Sequence, residues 1–198
     1  MSEENPKVEE ETVEEQNISF SFGEEAISPI CLVGEINDEN TSAVISALVM
    51  NKVVAEKIEE PEPMEFYLNS EGGSAYEMFA IYDVMKSVQD AYPIKTIGIG
   101  KIMSAGVLIL AAGTKGQRYI GRNSRVMIHN VLSGQQGSIT TIQNEFNEVK
   151  EIQKMYVAGL VECSNLTERE LKKMLSKNQN IYISAEKAIE YGLADHLL

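Results

Sequence analysis

Two residues of this chain have the types and the placement that nucleophilic catalysis requires. Ser104 lies between a glycine-spaced apolar segment, residues 96–102, and a short apolar segment, residues 107–112, that is typical of a buried helix. A serine at such a strand-to-helix corner is held at a sharp turn, and the amides at the start of the helix can donate to a developing anion. His129 follows 25 positions later, and the other histidine, His196, is near the end of the sequence. We therefore predict that Ser104 is a nucleophile and that His129 is its general base.

Two glycine-containing loops are candidates for binding the oxyanion of an acyl transfer. Residues 70–73 follow one predicted strand, residues 103–106 follow the next, and both loops precede predicted helices. Open α/β sheets place their sites at the carboxyl ends of strands, where backbone N–H groups converge. We predict that the amides of Gly73 and Ala105 form the oxyanion hole, in which losing one donor typically slows catalysis by about 10²–10³-fold. We attribute the glycine at position 73 to close backbone approach by the substrate.

Each of these features also has a purely structural interpretation. Ser104 taken alone is typical of a helix N-cap, and His129 at the end of an apolar strand is typical of a core or edge histidine. The pair Gly72-Gly73 alone indicates only a turn. The apolar positions of the predicted helix 139–162 indicate packing rather than a cofactor site. The joint arrangement, rather than any single residue, favours catalysis.

The order of predicted elements indicates an α/β fold. Apolar strands alternate with amphipathic helices, which predicts a mainly parallel sheet with flanking helices and right-handed crossovers. The predicted strands are Ile30–Val33, Met64–Leu68, Ile94–Gly100, Arg118–Ile120 and Val126–Ile128, and the longest helix covers residues 139–162. Residues 1–17 carry seven Glu and one Lys, so we predict an acidic, disordered tail there and a single domain over residues 18–198.

The charge and cysteine content disfavour several functions. The chain has 198 residues and a formal net charge of −13, which argues against nucleic-acid binding and against an anionic membrane surface. No apolar run approaches the length of a membrane span. Cys31 and Cys163 lie in no metal-ligand spacing, so we expect reduced thiols in a cytoplasmic protein. We expect neither a metal nor an organic cofactor.

Six segments of the sequence together resemble the ClpP family of ATP-dependent serine proteases. They occur in the family's order, from about residue 30 onward: Tyr67–Ser74, Ala80–Met85, Met103–Gly106, Leu110–Arg118, Asn123–His129 and Ser184–Leu193. The resemblance implies a ClpP/crotonase-like fold with Ser104 as nucleophile, His129 as base, and Gly73 and Ala105 as the oxyanion hole.

The same resemblance implies an assembly and a mode of substrate binding. Family members form homo-oligomeric, seven-membered rings that stack into a double ring around a proteolytic chamber, with helix 139–162 as the protruding handle that joins the rings. Residues 133–137 would be the strip that pairs with extended substrate backbone. The implied substrate-binding residues are Gly72, Ser133, Gly134 and Gln135.

The sequence departs from the family where the family completes its catalytic triad with Asp. Counting back from Ser184 places Asn180 there, whereas counting forward from His129 places Asn178; we prefer Asn180 because the adjoining block aligns better. An amide oxygen can accept from the His129 Nδ1–H but cannot stabilise the imidazolium by charge. We therefore predict weak or conditional activity.

The sequence departs from the family at two further places. One precedes Gly72-Gly73, and the other is the N-terminal segment that in the family contacts partner proteins. Glu71 stands where the family usually has Pro, and the segment before Ile30 does not resemble the family's axial loop and first helix. Those elements contact an AAA+ unfoldase, such as ClpX or ClpA, in the family. The divergence is typical of a specialised, phage-type member.

Three functions follow from these observations. The first is a self-compartmentalising serine endopeptidase that cleaves unfolded polypeptides, and the second is a catalytically impaired ring subunit that acts by assembly. The third, a crotonase-type acyl-CoA enzyme, is disfavoured because the sequence has no basic patch for the CoA phosphates.

Overall fold

A mainly parallel β-sheet forms the centre of the fold, as the sequence predicts. The computed structural model describes residues 26–176 and 179–198, which contain seven strands: β1 (Ile30–Ile36), β2 (Met64–Gly73), β3 (Ile94–Met103), β4 (Arg118–Ile120), β5 (Arg125–Ile128), β6 (Ile181–Ser184) and β7 (His196–Leu197). They pair in the order β1-β2-β3-β4-β7, and β5 pairs with both β3 and β6. Every pairing is parallel except that of β5 with β6.

The helices cover the sheet and follow the strands closely in sequence. Within the described residues they are α1 (Asp38–Ala55), α2 (Ala75–Gln89), α3 (Ala105–Ala111), α4 (Ile139–Cys163), α5 (Glu168–Leu175) and α6 (Ala185–Glu190). Side chains of Asn37, Ser74 and Thr167 cap α1, α2 and α5 by accepting from backbone N–H groups of the first turn. None of these helices is both long and apolar enough to cross a bilayer.

Helix α3 is a core helix, as its apolar sequence predicts. All seven of its residues are buried, and it packs against β2, β3 and α4. Gly159 of α4 permits this packing, since a Cβ atom there would lie 3.0 Å from Cδ1 of Leu108. The helix that begins at the Ser104 corner is therefore fixed from several sides.

Helix α4 divides into a packed half and an exposed half. Ile152, Tyr156 and Leu160 are buried, whereas Ile139 and Phe146 are 88% and 57% exposed. The interpretation of the apolar positions as packing is thus correct only for the C-terminal half, and it is wrong for the first two turns. The predicted acidic tail, residues 1–17, lies outside the described residues.

A buried ion pair joins three elements of the fold to the residue before β7. Arg118 of β4 is 3% exposed, and its Nη2 lies 2.6 Å from Oδ1 of Asp195. The Nη1 of Arg118 donates to the carbonyl oxygens of Ala111 and Cys163, which end α3 and α4. Burial alone would raise the pKa of Asp195, but the Arg118 guanidinium and two backbone N–H groups outweigh it and hold that pKa below its usual range.

We predict that Asp195→Asn lowers the free energy of unfolding by about 3–5 kcal/mol at pH 7, because it leaves the buried Arg118 guanidinium without its counter-charge. Since the folded-state pKa of Asp195 is depressed, the wild-type advantage is present above about pH 4 and is lost as the pH falls through the folded-state value. Urea denaturation of the wild type and the variant, at pH 7 and at lower pH, measures this difference in the free energy of unfolding. The control is Glu190→Gln, which breaks the exposed, solvent-screened Lys187–Glu190 pair and should change stability far less. Equal losses in the two variants would contradict the prediction.

Candidate active site

One cavity of about 650 Å³ lies where β2, β3 and β5 end. Of the predicted site residues, Gly72, Gly73, Ser104, Ala105, His129 and Ser133 line it, and Gly134, Gln135 and Asn180 do not. Its other walls come from the start of α2 and from one face of α4, which contributes Glu145, Val149, Ile152 and Tyr156. The parallel sheet thus brings the two predicted loops and the histidine to one cavity.

Ser104 occupies a strained backbone conformation at the corner between β3 and α3. Its φ is 54° and its ψ is −122°, and it is the one non-glycine residue with positive φ among the described residues. Its N–H donates to the carbonyl oxygen of Met127 at 2.8 Å. Ser104 takes the N-cap position of α3, but its side chain makes no capping hydrogen bond. The helix therefore does not use the hydroxyl, and the N-cap interpretation does not account for this serine.

Residues 70–73, predicted as a loop, instead form the C-terminal end of β2, because they continue the pairing with β1. This end of β2 requires glycine at two positions for different reasons. Gly72 has φ +95°, and a Cβ atom there would lie 2.6 Å from Cβ of Ser104 and 3.1 Å from the amide nitrogen of Ala105. A Cβ atom on Gly73 would lie 2.2 Å from the carbonyl oxygen of Ile36. The expectation that glycine at 73 serves substrate approach is therefore replaced by a packing requirement against β1. Gly72 is the glycine that abuts the corner.

Ser70 stabilises the end of β2 from within the core. Its side chain is fully buried, and its Oγ accepts a hydrogen bond from the N–H of Gly72 at 3.0 Å. The buried Ser70 hydroxyl therefore helps to hold Gly72 in place at the cavity wall.

His129 follows β5 directly and lies at the same sheet edge as Ser104. The parallel register pairs Met103 with Met127, so the chain after each strand emerges beside the other. His129 is partly exposed and lines the cavity. Both side chains lie in the described part of the chain, and no hydrogen bond joins the imidazole to the Ser104 hydroxyl in this conformation. Catalytic hydrogen bonds are often long without substrate and tighten when it binds.

Asn180 directly precedes β6, and His129 directly follows β5. The antiparallel register places Ile181 opposite Ile128, so the next residue pair in that register is Asn180 with His129. The Asn180 side chain is exposed, is not part of the cavity wall and makes no hydrogen bond to the imidazole. Asn178 lies outside the described residues.

Tyr156 is a residue of the cavity wall that sequence reasoning missed. Tyr156 of α4 is 4% exposed, and its hydroxyl donates to the carbonyl oxygen of Ser104 at 3.0 Å. From the sequence it is one apolar position of an amphipathic helix, and no signal separates it from the packing residues beside it. Only the fold brings it to the corner.

Glu71, where the resemblance leads us to expect Pro, has a partner across the sheet. Its Oε2 lies 2.6 Å from the Nζ of Lys101, so the pair joins the C-terminal parts of β2 and β3. The hydrogen bond from the Lys101 ammonium holds the pKa of Glu71 below its ordinary value. The side chains are 48% and 45% exposed, so solvent screens the pair and it contributes little to stability.

The charged residues of the cavity wall are all carboxylates. They are Glu35, Glu71 and Glu145, and no Lys or Arg lines the cavity within the described residues. Glu145 accepts a hydrogen bond from the Ser133 hydroxyl at 3.2 Å. Phosphate groups, as in coenzyme A, would meet like charge here, which disfavours an acyl-CoA substrate.

We predict that Gly72→Ala slows fluorophosphonate labelling of Ser104 by about 10²-fold, because the added Cβ displaces the corner and a shift of about 1 Å can cost that much. Gly34→Ala is the matched control, since Gly34 has nearly the same φ, +94°, but nothing lies within 4 Å of its Cβ position. It should label at the wild-type rate. The rates are measured by labelling time courses on variants whose circular dichroism matches wild type. A similar slowing in both variants would show that backbone strain, not contact with Ser104, is responsible.

A family model described as Clp protease matches residues 15–198, which include every predicted site residue.

Proposed function

Because the chain belongs to the Clp protease family, we propose that it is a serine endopeptidase of the ClpP type that cleaves unfolded polypeptides. The observation that supports this most is the Ser104 hydroxyl, which no helix cap uses, in a cavity whose wall also contains His129. A hydroxyl nucleophile needs an adjacent base, and His129 is the histidine of this cavity.

In the proposed reaction, Oγ of Ser104 attacks the scissile carbonyl while His129 accepts its proton. The amides of Gly73 and Ala105 donate to the oxyanion that forms, and His129 then returns the proton to the leaving amine. Water, activated by the same imidazole, hydrolyses the acyl-serine and releases the second product. Each step uses a group of the cavity wall.

The substrate binds as an extended strand beside the cavity. Residues 132–136 are exposed and form no regular secondary structure, which leaves their backbone groups available for pairing with a peptide. Ser133, Gly134 and Gln135 contribute the strip, and Gly72 lies across the cavity from it.

Asn180 orients the imidazole of His129 in this proposal. The antiparallel pairing of β5 with β6 supports it, because extending that register by one residue beyond Ile128 and Ile181 sets residue 180 opposite residue 129. An amide fixes the tautomer but not the charge of the imidazolium, so the activity is weak.

The chain assembles into a homo-oligomeric ring or double ring, through which an AAA+ unfoldase such as ClpX or ClpA delivers substrate in the cytoplasm. The exposed apolar side chains Ile139, Ile142 and Phe146 on α4 support contacts between subunits. A second candidate, the catalytically impaired ring subunit, is favoured by one observation: no carboxylate is hydrogen-bonded to His129 within the described residues.

The test is labelling with a fluorophosphonate probe, followed by peptide mapping and by mass measurement in solution. We predict labelling at Ser104 of the wild-type chain, loss of labelling in Ser104→Ala, and at least about 10²-fold slower labelling in His129→Ala, because the base is gone. A folded ring that does not label would reject the peptidase and leave the assembly role. Labelling that survives His129→Ala unchanged would reject His129 as base.

We predict that Asn180→Asp raises kcat for peptide esters and amides by about 10-fold or more, because a carboxylate stabilises the imidazolium that an amide cannot. Asn178→Asp is the comparison variant and should leave kcat unchanged. A rise in Asn178→Asp alone would move the third catalytic position to 178. No change in either variant would remove both asparagines from the mechanism.

A further inference from the structure

Tyr156 makes a hydrogen bond to the backbone of Ser104, the proposed nucleophile. Its hydroxyl donates to the carbonyl oxygen of Ser104, 52 positions away in sequence, at 3.0 Å. The N–H of Val107 donates to the same carbonyl oxygen at 3.0 Å within the first turn of α3. The carbonyl of Ser104 is thus held from the helix and from α4 together.

That carbonyl belongs to the same peptide unit as the N–H of Ala105. A trans peptide unit is planar, so its C=O and N–H point in opposite directions. Fixing the direction of the Ser104 carbonyl oxygen therefore fixes the direction of the Ala105 N–H. A hydrogen bond accepted by the carbonyl also polarises the unit and strengthens its N–H as a donor.

The backbone of Ser104 needs such support because its conformation is unfavourable. Its φ of 54° lies in a region that residues other than glycine rarely adopt. The bond from its own N–H to Met127 holds one side of the residue, and the Tyr156 hydroxyl holds the other. Without the second bond, the peptide unit between residues 104 and 105 has more freedom to rotate.

We propose that Tyr156 is a positioning residue, whose hydroxyl aims and polarises the Ala105 N–H toward the oxyanion. This rests on the proposed function, since it concerns the oxyanion hole of the same site. Burial raises the pKa of Tyr156, so its hydroxyl keeps its proton at neutral pH and acts as a donor rather than a base. The burial of its ring against the corner fixes that donor in place.

The test is Tyr156→Phe, which removes the hydroxyl and keeps the ring. We expect kcat for a peptide ester to fall about 10-fold, less than the 10²–10³-fold of losing an oxyanion donor outright, with KM within twofold of wild type. Affinity for a peptide aldehyde, which forms a tetrahedral adduct with the serine, should fall by the same factor, whereas affinity for the matching peptide alcohol, which forms no adduct, should not. A residue that only packs would not separate these two ligands.

The control is Tyr82→Phe, which removes the hydroxyl near Sγ of Cys163, outside the cavity wall. It should leave kcat and aldehyde affinity at wild-type values. Tyr156→Met, which also cannot donate, is the second variant and should match Tyr156→Phe. Unchanged kcat in folded Tyr156→Phe, a change confined to KM, or an equal loss in Tyr82→Phe would overturn the proposal. A wild-type chain that neither labels nor hydrolyses would overturn the proposed function, and the role of Tyr156 with it.

Discussion

The strained peptide at Ser104 is the constraint on which the site depends. A residue in such a conformation costs of the order of 1–3 kcal/mol and persists only where its surroundings fix it. Three hydrogen bonds do so here: to Met127 before the histidine, from Val107 in α3 and from Tyr156 in α4. Because the hydroxyl and the Ala105 N–H leave the same short segment, one backbone geometry sets the direction of both.

Other contacts of the fold hold these three hydrogen-bond partners in place around Ser104. The pairing of β3 with β5 fixes the Met127 carbonyl relative to the corner. The Arg118 guanidinium, which donates to the carbonyl oxygens of Ala111 and Cys163, ties the C-terminal ends of α3 and α4 together. A cation there also complements the negative ends of both helix dipoles. The ion pair with Asp195 keeps the Arg118 guanidinium at these two helix ends.

Local and periodic signals in the sequence predict much of this arrangement. The apolar repeat predicts α4 to within one residue, and strand ends in a parallel sheet predict that Ser104 and His129 share an edge. Strand β6 escapes prediction because four residues form a strand only through pairing with β5. The Tyr156–Ser104 hydrogen bond and the contact of Gly73 with Ile36 join distant parts of the chain, so no local sequence pattern predicts them.

The two halves of the proposed chemistry rest on different parts of the molecule. The oxyanion half is built from β1, β2, β3 and α4, where buried side chains and short hydrogen bonds leave little freedom. The proton-transfer half depends on residues after β5 and before β6, where His129 is partly exposed and Asn180 is exposed. An asparagine in place of the triad acid, as proposed at position 180, would affect only the second half. An active and an impaired subunit would therefore share the same corner and oxyanion hole, and they would differ in how the imidazole is held and charged.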